Sequence, residues 1–552
     1  MSKLITNNRI KQSDMRNNIK VFMTAGALAF LASCTDLDVD IKSQYTEYPS
    51  SSEVAVEAKM ADVYYAFRSA LGGNYNRTQT LASDEATGIS FDGDYYDGGT
   101  YCHLSLHNFM PSDGGLSYWS DLSSGITRCN QIISDFGGDE ADPKIVAPAK
   151  AMRAFYHFIL MDSFGDVPIL DRIPDEDEAI ERSPRKEVAE YIERELLDCL
   201  PYLNEKSDAA TYGKPNKWMA EALLVKLYIN WAVYTCGDVT AYTPSTPNNK
   251  LDDCVRYCDE IIQSGLFNLN DDYRRKFFPD NGDHIKDFIY AMPFDCTSAQ
   301  GMYYGRYRTF RRIDDGNGGY YGGEMGNSCA GNYAMNPEFS DLFSLEGDER
   351  NNCVLRDTVY KFDGATYEPT NEVFLYQNEL PLVLTKTITL KDVNEQLNTG
   401  ADFNGWRQGY RSIKFYPDPT EYREHNRNQS NDVPIFRYAD ILLTKAEAIL
   451  RGAQATNNDT PLSLINQIRA YVNAPVFEGT PTLQDLLDER GRELFDENWR
   501  RNDMIRFGTF ENEYGFHKKG FPTARFDKEC RIFPVPQDIL NENTNWQQNP
   551  GY

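Results

Sequence analysis

Histidine, tryptophan and unbroken apolar sequence are scarce in this chain. Six histidines and six tryptophans are spread over 552 residues. Zinc hydrolases need clustered imidazoles, and no H-E-x-x-H pair is present. G-x-S-x-G and a phosphate-cradling glycine loop are missing too, so serine-nucleophile and nucleotide chemistry lose their usual markers. After Cys34 no charge-free apolar run approaches the length of a transmembrane helix. Basic residues are also short: 56 Lys and Arg stand against 83 Asp and Glu, a formal charge of −27. A surface of that sign is repelled by nucleic acid and by anionic lipid, which argues against both as partners.

The N-terminus carries the most specific signal. Arg9, Lys11, Arg16 and Lys20 precede an uncharged run from Val21 to Leu31, and Leu31-Ala32-Ser33 leads into Cys34. Basic start, short apolar run and small residues make a secretory signal peptide over 1–33, since the run is too short to span a bilayer. The cysteine after small residues reads as a lipobox, with cleavage before Cys34 and acyl chains added there. More than one chain makes such an anchor stable, at roughly 0.8 kcal/mol per buried methylene. Removing the signal takes five basic residues and one acidic residue away. The remaining 519 residues hold 51 basic and 82 acidic side chains, a formal charge of −31.

That length calls for more than one packed subregion, and 41% hydrophobic residues exclude a disordered chain. The other ten cysteines are scattered, so export permits disulfides but no framework is legible. Cys254 and Cys258 sit four apart in a helical stretch and read as small core residues.

Apolar periodicity divides the mature chain. A helical scaffold runs over 34–265 and contains a variable loop at 72–114. An irregular insert covers 266–430, and further helices with a tail cover 431–552. Helices are expected at 53–71, 115–136, 147–164, 184–203, 216–234, 251–264, 435–451, 460–471 and 482–497. Ser183 is the expected N-cap of the fourth. Lys150, Arg153 and His157 share a polar face, as do Arg437, Asp440, Thr444, Glu447 and Arg451. Helix 216–234 is apolar on most sides and should be buried. Leu382–Leu390 looks like a strand. The pairs resemble an irregular helix–turn–helix repeat of roughly 34 residues. The fold class is mostly α: a tetratricopeptide-like helical-repeat scaffold carrying a large irregular insert.

Long irregular segments on a rigid scaffold tend to carry function. Residues 301–325 hold six aromatics and seven glycines, where the chain average of 13% aromatics gives about three. Tyrosines on glycine-rich loops offer flat faces on which the C–H side of a sugar stacks, while Asp, Asn or Arg pair with its hydroxyls. Residues 84–101 are similar in style, with Asp92, Tyr95 and Tyr96. The plainer alternative is that these tyrosines pack a core of their own. Cys102, His103 and His107 form the one tight metal-type cluster. In an extended segment both histidines would face one side, but two ligands do not make a site. No metal or cofactor is expected. Asp84-Glu85 and Asp314-Asp315 keep a two-carboxylate glycosidase as an alternative, although adjacency by chance is expected among so many acids.

These residues resemble a family. Cys34-Thr35-Asp36-Leu37-Asp38, then Ser83-Asp84-Glu85, then Trp119 to Cys129-Asn130 resemble the SusD/RagB surface glycan-binding lipoproteins of Gram-negative gut bacteria. So do Arg153-Ala154-Phe155-Tyr156 with Phe164-Gly165-Asp166-Val167-Pro168, and Pro434 to Asp440 with Ala446-Glu447-Ala448. Arg492-Glu493-Leu494, Arg506-Phe507-Gly508, Phe533-Pro534-Val535-Pro536 and Gln548 to Tyr552 complete the ordered set. The resemblance implies four tetratricopeptide-like units, no catalysis, and an outer-membrane protein lipid-anchored at Cys34. It implies a TonB-dependent SusC-like transporter as partner and an oligosaccharide as ligand, or a peptide in some branches. Its ligand positions fall here on Tyr95, Tyr96, Tyr303, Tyr304, Tyr320 and Tyr321, with Asn327 close by. Many members place tryptophan there; the nearest one in this insert is Trp406. Replacing Tyr320 and Tyr321 with Ala is then expected to abolish glycan retention without unfolding.

Overall fold

Helix stops read from the sequence divide the first half of the chain into successive helices. The computed structural model describes residues 53–310, 321, 323–326, 329–377, 379–391, 396–515 and 520–552. Cys34, Asp314, Asp315, Tyr320 and Asn327 lie outside the described residues. The main early helices are α1 (Glu53–Tyr64), α2 (Asn74–Leu81), α3 (Tyr118–Asp135), α4 (Pro143–Phe164), α5 (Arg185–Cys199), α6 (Lys217–Ile229) and α7 (Leu251–Gln263). α3 packs on α4, α4 on α5, and α6 on α7. Gly165, at φ 78°, ends α4 as expected, because only glycine adopts that backbone without strain. α6 is buried at every position from Trp218 to Ile229. No described helix is long and apolar enough to cross a membrane.

Three expectations change. The 53–71 segment breaks after Tyr64, and a separate short helix takes Arg68–Gly72. Ser183 does not cap α5: Pro184 takes the N-cap position, and Asp166 Oδ1 accepts from the Arg185 amide at 2.8 Å. A cap contributed from 19 residues away leaves no local sequence mark. The polar face of α4 is not solvated either. Arg153 and His157 are buried, with Arg153 paired to Glu195 of α5 and donating to Asn130 Oδ1 of α3 at 2.7 Å. Asn130 in turn donates to Leu170 O and Arg172 O at 3.1 and 2.9 Å. One polar latch thus ties three helices to the turn that follows Gly165.

The second helical group is α8 (Tyr438–Leu450), α9 (Pro461–Tyr471), α10 (Leu483–Leu494) and α11 (Arg500–Phe507). α8 packs on α7, α9 and α10, so the group continues the earlier stack. Thr460 with Ser463 and Thr482 with Asp485 form reciprocal capping boxes at the starts of α9 and α10. The helix expected at 435–451 is preceded by a buried strand. Val433–Arg437 pairs antiparallel with Phe288–Met292. Asp287 then fixes the strand-to-helix junction, its backbone O accepting from Tyr438 N at 2.8 Å and its Oδ1 from Ala439 N at 3.0 Å. α10 stops at Leu494 rather than 497, because Asp496 and Asn498 take positive φ.

Among the described residues the insert contributes four short α-helices, strand pairs such as 354–355 with 411–412 and 360–362 with 369–373, and an aromatic core. That core contains Phe278, Phe310, Tyr321, Phe362, Tyr416 and Tyr422. Leu382–Leu390 is not a strand; it makes only isolated bridges, Thr358 to Val383 and Thr385 to Gln408.

Candidate functional site

The segment after Ser83-Asp84-Glu85 is held at both ends. Asp84 accepts from Arg500 Nε and Nη2 at 2.7 and 2.8 Å. Glu85 is buried, and its Oε1 accepts from Asp496 N at 3.1 Å. Burial and the nearby Asp496 push the Glu85 carboxyl well up. The acidic pair therefore docks the segment on α11 and the end of α10. Ala86–Gly88 then pairs antiparallel with Tyr333–Met335.

From that pairing the chain rises into a tight loop. Ile89 and Phe91 are buried, while Asp92, Gly93, Asp94, Asp97 and Gly98 are exposed. Phe91 and Asp94 close the turn through their backbones at 2.9 and 3.2 Å. Asp92, Tyr95 and Asp97 have φ of 52°, 59° and 45°. Three non-glycine residues at positive φ within six positions, Tyr95 the least suited to it, are a strained backbone, which persists only when its surroundings enforce it. Lys391, Asn398 and Ala401 supply that enforcement. Lys391 Nζ donates to Asp92 at 2.8 and 2.9 Å, Asn398 Nδ2 at 3.0 Å and Ala401 N at 3.1 Å. Hydrogen bonds from Lys391 and Asn398 hold the Asp92 carboxyl down to about 2. Gly99, at φ 98°, is needed where the loop returns, because a Cβ there would lie 2.1 Å from the His103 ring.

Four of the residues chosen from sequence meet around this loop. Tyr95 is half-buried, with its ring 6.4 Å from Phe91 and 6.2 Å from Tyr101. Tyr95 and Trp406 both pack on the small cluster of Ile89, Phe91, Ala334 and Ile388. Tyr96 packs on the adjoining cluster of Cys102, Leu106 and Leu397. With Asp92 they present two partly exposed phenols, one indole and one carboxylate. Tyr303 is half-buried at the start of the short helix Tyr304–Arg308, its amide donating to Gly72 O at 3.3 Å.

Tyr304 and Tyr321 are core residues, not faces offered to a ligand. The Tyr304 hydroxyl donates to Leu71 O at 3.2 Å, and its ring meets Phe415 edge-on at 5.1 Å. Tyr321 lies edge-on to Tyr416 at 5.0 Å inside the insert core. The expectation that replacing Tyr321 would spare the fold is therefore corrected: a buried ring leaves a cavity when it is removed. The two histidines do not converge. Residues 102–105 form a helical turn, His103 Nδ1 meets Asp113 Oδ1 at 3.0 Å, and His107 Nε2 meets Ala82 O at 3.0 Å.

Sequence reasoning passed over the support beneath the loop. Tyr307 and Tyr333 stack at 4.9 Å, and Tyr101 lies 6.1 Å from Tyr307. The Arg77 guanidinium sits 5.0 Å from the Tyr101 ring and donates to the Tyr307 hydroxyl at 3.2 Å. Tyr307 stood in the aromatic run, but nothing local marks its pairing with Arg77, 230 residues away.

Residues 286–552 match the model of the SusD family, and residues 37–229 match a second model described as "Starch-binding associating with outer membrane". The chain belongs to the SusD family. The starch-binding protein SusD of Bacteroides thetaiotaomicron is 26% identical over 459 residues, 78% of this chain and 77% of that protein. Among solved structures, a laminarin-binding SusD-like protein is 22% identical with a TM-score of 0.66 and covers 91% of this chain and 99% of its own. Surface glycan-binding protein A from Bacteroides thetaiotaomicron, in complex with laminarihexaose, is 17% identical with a TM-score of 0.68 and covers 90% and 99%. The SusD-family assignment made from ordered motifs stands, and so does the mostly helical fold class.

Proposed function

We propose that this SusD-family protein binds oligosaccharides at the cell surface without chemically changing them. In this reading Cys34 carries the lipid, the protein sits on the outer membrane, and a TonB-dependent SusC-like transporter receives the ligand. The observation that carries the ligand side is the strained, braced loop with Asp92, Tyr95, Tyr96 and Trp406 around it. Preformed aromatic faces beside a fixed carboxylate suit a sugar, because little ordering entropy remains to be lost on binding. A non-enzymatic role is supported by the Asp84-Glu85 pair being taken up in docking, with Asp84 held by Arg500. The starch- and laminarin-binding descriptions of its relatives point to the same ligand class.

Native affinity electrophoresis through gels containing plant, host and microbial polysaccharides tests this. Retardation by one polymer, reduced about ten-fold or more in a Tyr95→Ala/Tyr96→Ala variant, is the expected result. Equal retardation of the variant would remove the loop from the site. No retardation by any polymer would move the ligand to peptides.

A further inference from the structure

A cavity lies within the insert, beside the hairpin Tyr360–Phe362/Pro369–Val373. Its volume is about 330 Å³, and neither Asp92, Tyr95, Tyr96, Tyr303 nor Trp406 lines it. Small-ligand sites begin at about that size. The floor is apolar, formed by buried Val354, Leu355, Val359 and Phe362. Tyr360 forms part of the wall and is 41% exposed, unusual for an aromatic in this chain.

Polar groups of both kinds surround that floor. Arg274 is already engaged, donating to Glu368 at 2.6 Å and to Tyr367 O at 2.7 Å. Arg356 is partly exposed and donates through Nη1 to Phe343 O at 2.7 Å. A guanidinium has five donors, so the rest of its fork can serve a ligand. Asn352 is exposed and Thr358 half-exposed, and each can donate and accept. In the wall, Arg274 Nε and Asn351 Oδ1 have no hydrogen-bond partner among the described residues. An apolar floor, a partly exposed ring and a rim of hydrogen-bonding groups that both donate and accept match a pyranose, which has a C–H face and a circle of hydroxyls. They match an apolar side chain poorly, since that would leave the rim unpaired.

We propose that this groove is a second carbohydrate-binding site, taking one pyranose unit against Tyr360 with its hydroxyls on Asn352, Arg356 and Thr358. It shares only the ligand class with the loop reading. A chain bound at both sites gains by effective concentration, so a polymer is held more tightly than a short oligosaccharide.

The test places 3-fluorotyrosine at position 360 in the full chain, purified in detergent. The probes are methyl β-D-glucopyranoside, methyl α-D-mannopyranoside and methyl β-D-galactopyranoside. The expected result is a saturable ¹⁹F shift with at least one probe. That shift should be unchanged in Tyr95→Ala/Tyr96→Ala and weakened about ten-fold in Asn352→Ala/Arg356→Met. No saturable shift with any probe, or an undiminished one in the Asn352/Arg356 variant, overturns the proposal. A shift at position 360 without polysaccharide retardation would sink the loop reading alone. Retardation with a silent position 360 would sink this one alone.

Discussion

Around Arg437 and around Tyr416 the protein fills its interior in two different ways. Arg437 pairs with Asp287 at 2.5 Å, Glu493 at 2.9 Å and Glu497 at 2.7 Å, while Lys276 and Lys414 close on the same carboxylates at 2.5 and 2.6 Å. Each of these six groups is buried. Tyr416 instead meets rings, Tyr321 at 5.0 Å, Tyr367 at 5.2 Å, Phe278 at 5.3 Å and Phe362 at 5.4 Å. A buried ion pair needs its geometry met on every side, whereas ring packing accepts several arrangements of similar volume. The charged cluster spans the insert, strand 433–437 and α10, so it fixes one arrangement of the frame. The aromatic core holds the insert together by ring packing, apart from that charged frame.

The sharpest way to break this contrast is Arg437→Met. It takes the shared cation from Asp287, Glu493 and Glu497; Lys276 and Lys414 still hold the first and last, but Glu493 loses its 2.9 Å partner, and breaking a buried pair costs about 3–5 kcal/mol. Urea unfolding should show a loss of that size; a loss below about 1 kcal/mol would reduce the cluster to an ordinary contact. Tyr321→Ala in the ring core should cost somewhat less, about 3 kcal/mol, from lost transfer energy and the cavity left behind. Thermal unfolding unchanged by Tyr321→Ala would return that ring to the ligand side.

The frame also contains a carboxylate that works against it. Glu221 of α6 is buried, and its oxygens have no hydrogen-bond partner among the described residues; Lys217 Nζ is 3.8 Å away. Burial, then the nearby Glu260, pushes its carboxyl up to about 8. A carboxyl raised in the folded state keeps its contribution below the unfolded value and loses it as pH climbs through the folded one. Stability should therefore fall between pH about 4.5 and 8 on this account. Glu221→Gln should leave stability at pH 4 nearly unchanged and raise it by about 2 kcal/mol at pH 8. An equal effect at both pH values would remove the titration from the explanation.

What could be read from sequence follows the same division. Helix existence was legible because apolar spacing and the stop at Gly165 are local signals. The polar stripe on 437–451 was legible as a stripe but not as an interior, since the groups that bury Arg437 come from residues 276 to 497. The cap of α5 failed for the same reason. In the two aromatic-rich segments, composition singled out the rings but could not sort them by burial. Tyr303 and Tyr304 are neighbours in sequence, yet one is half-buried at a helix start and the other is sealed against Phe415. The bracing of Asp92 by Lys391, 299 residues on, had no local signature.

That brace gives the smallest predicted effect and the most direct test of a preformed loop. Asp92 is exposed, so Asp92→Asn should leave the melting temperature unchanged within error. Its work is local: one carboxylate receives Lys391, Asn398 and the Ala401 amide, and it sits in a left-handed backbone that would otherwise relax. Hydrogen exchange of residues 92–97 should quicken in Asp92→Asn while exchange in α3–α11 stays the same. Because the carboxyl is held down to about 2, the brace stays charged through the range in which Glu221 titrates. Loop exchange, corrected for the intrinsic rate, should then be flat from pH about 4 to 8 while global stability is not. A loop that loosens in step with the frame would mean that the two regions share one equilibrium, and the contrast between them would fall.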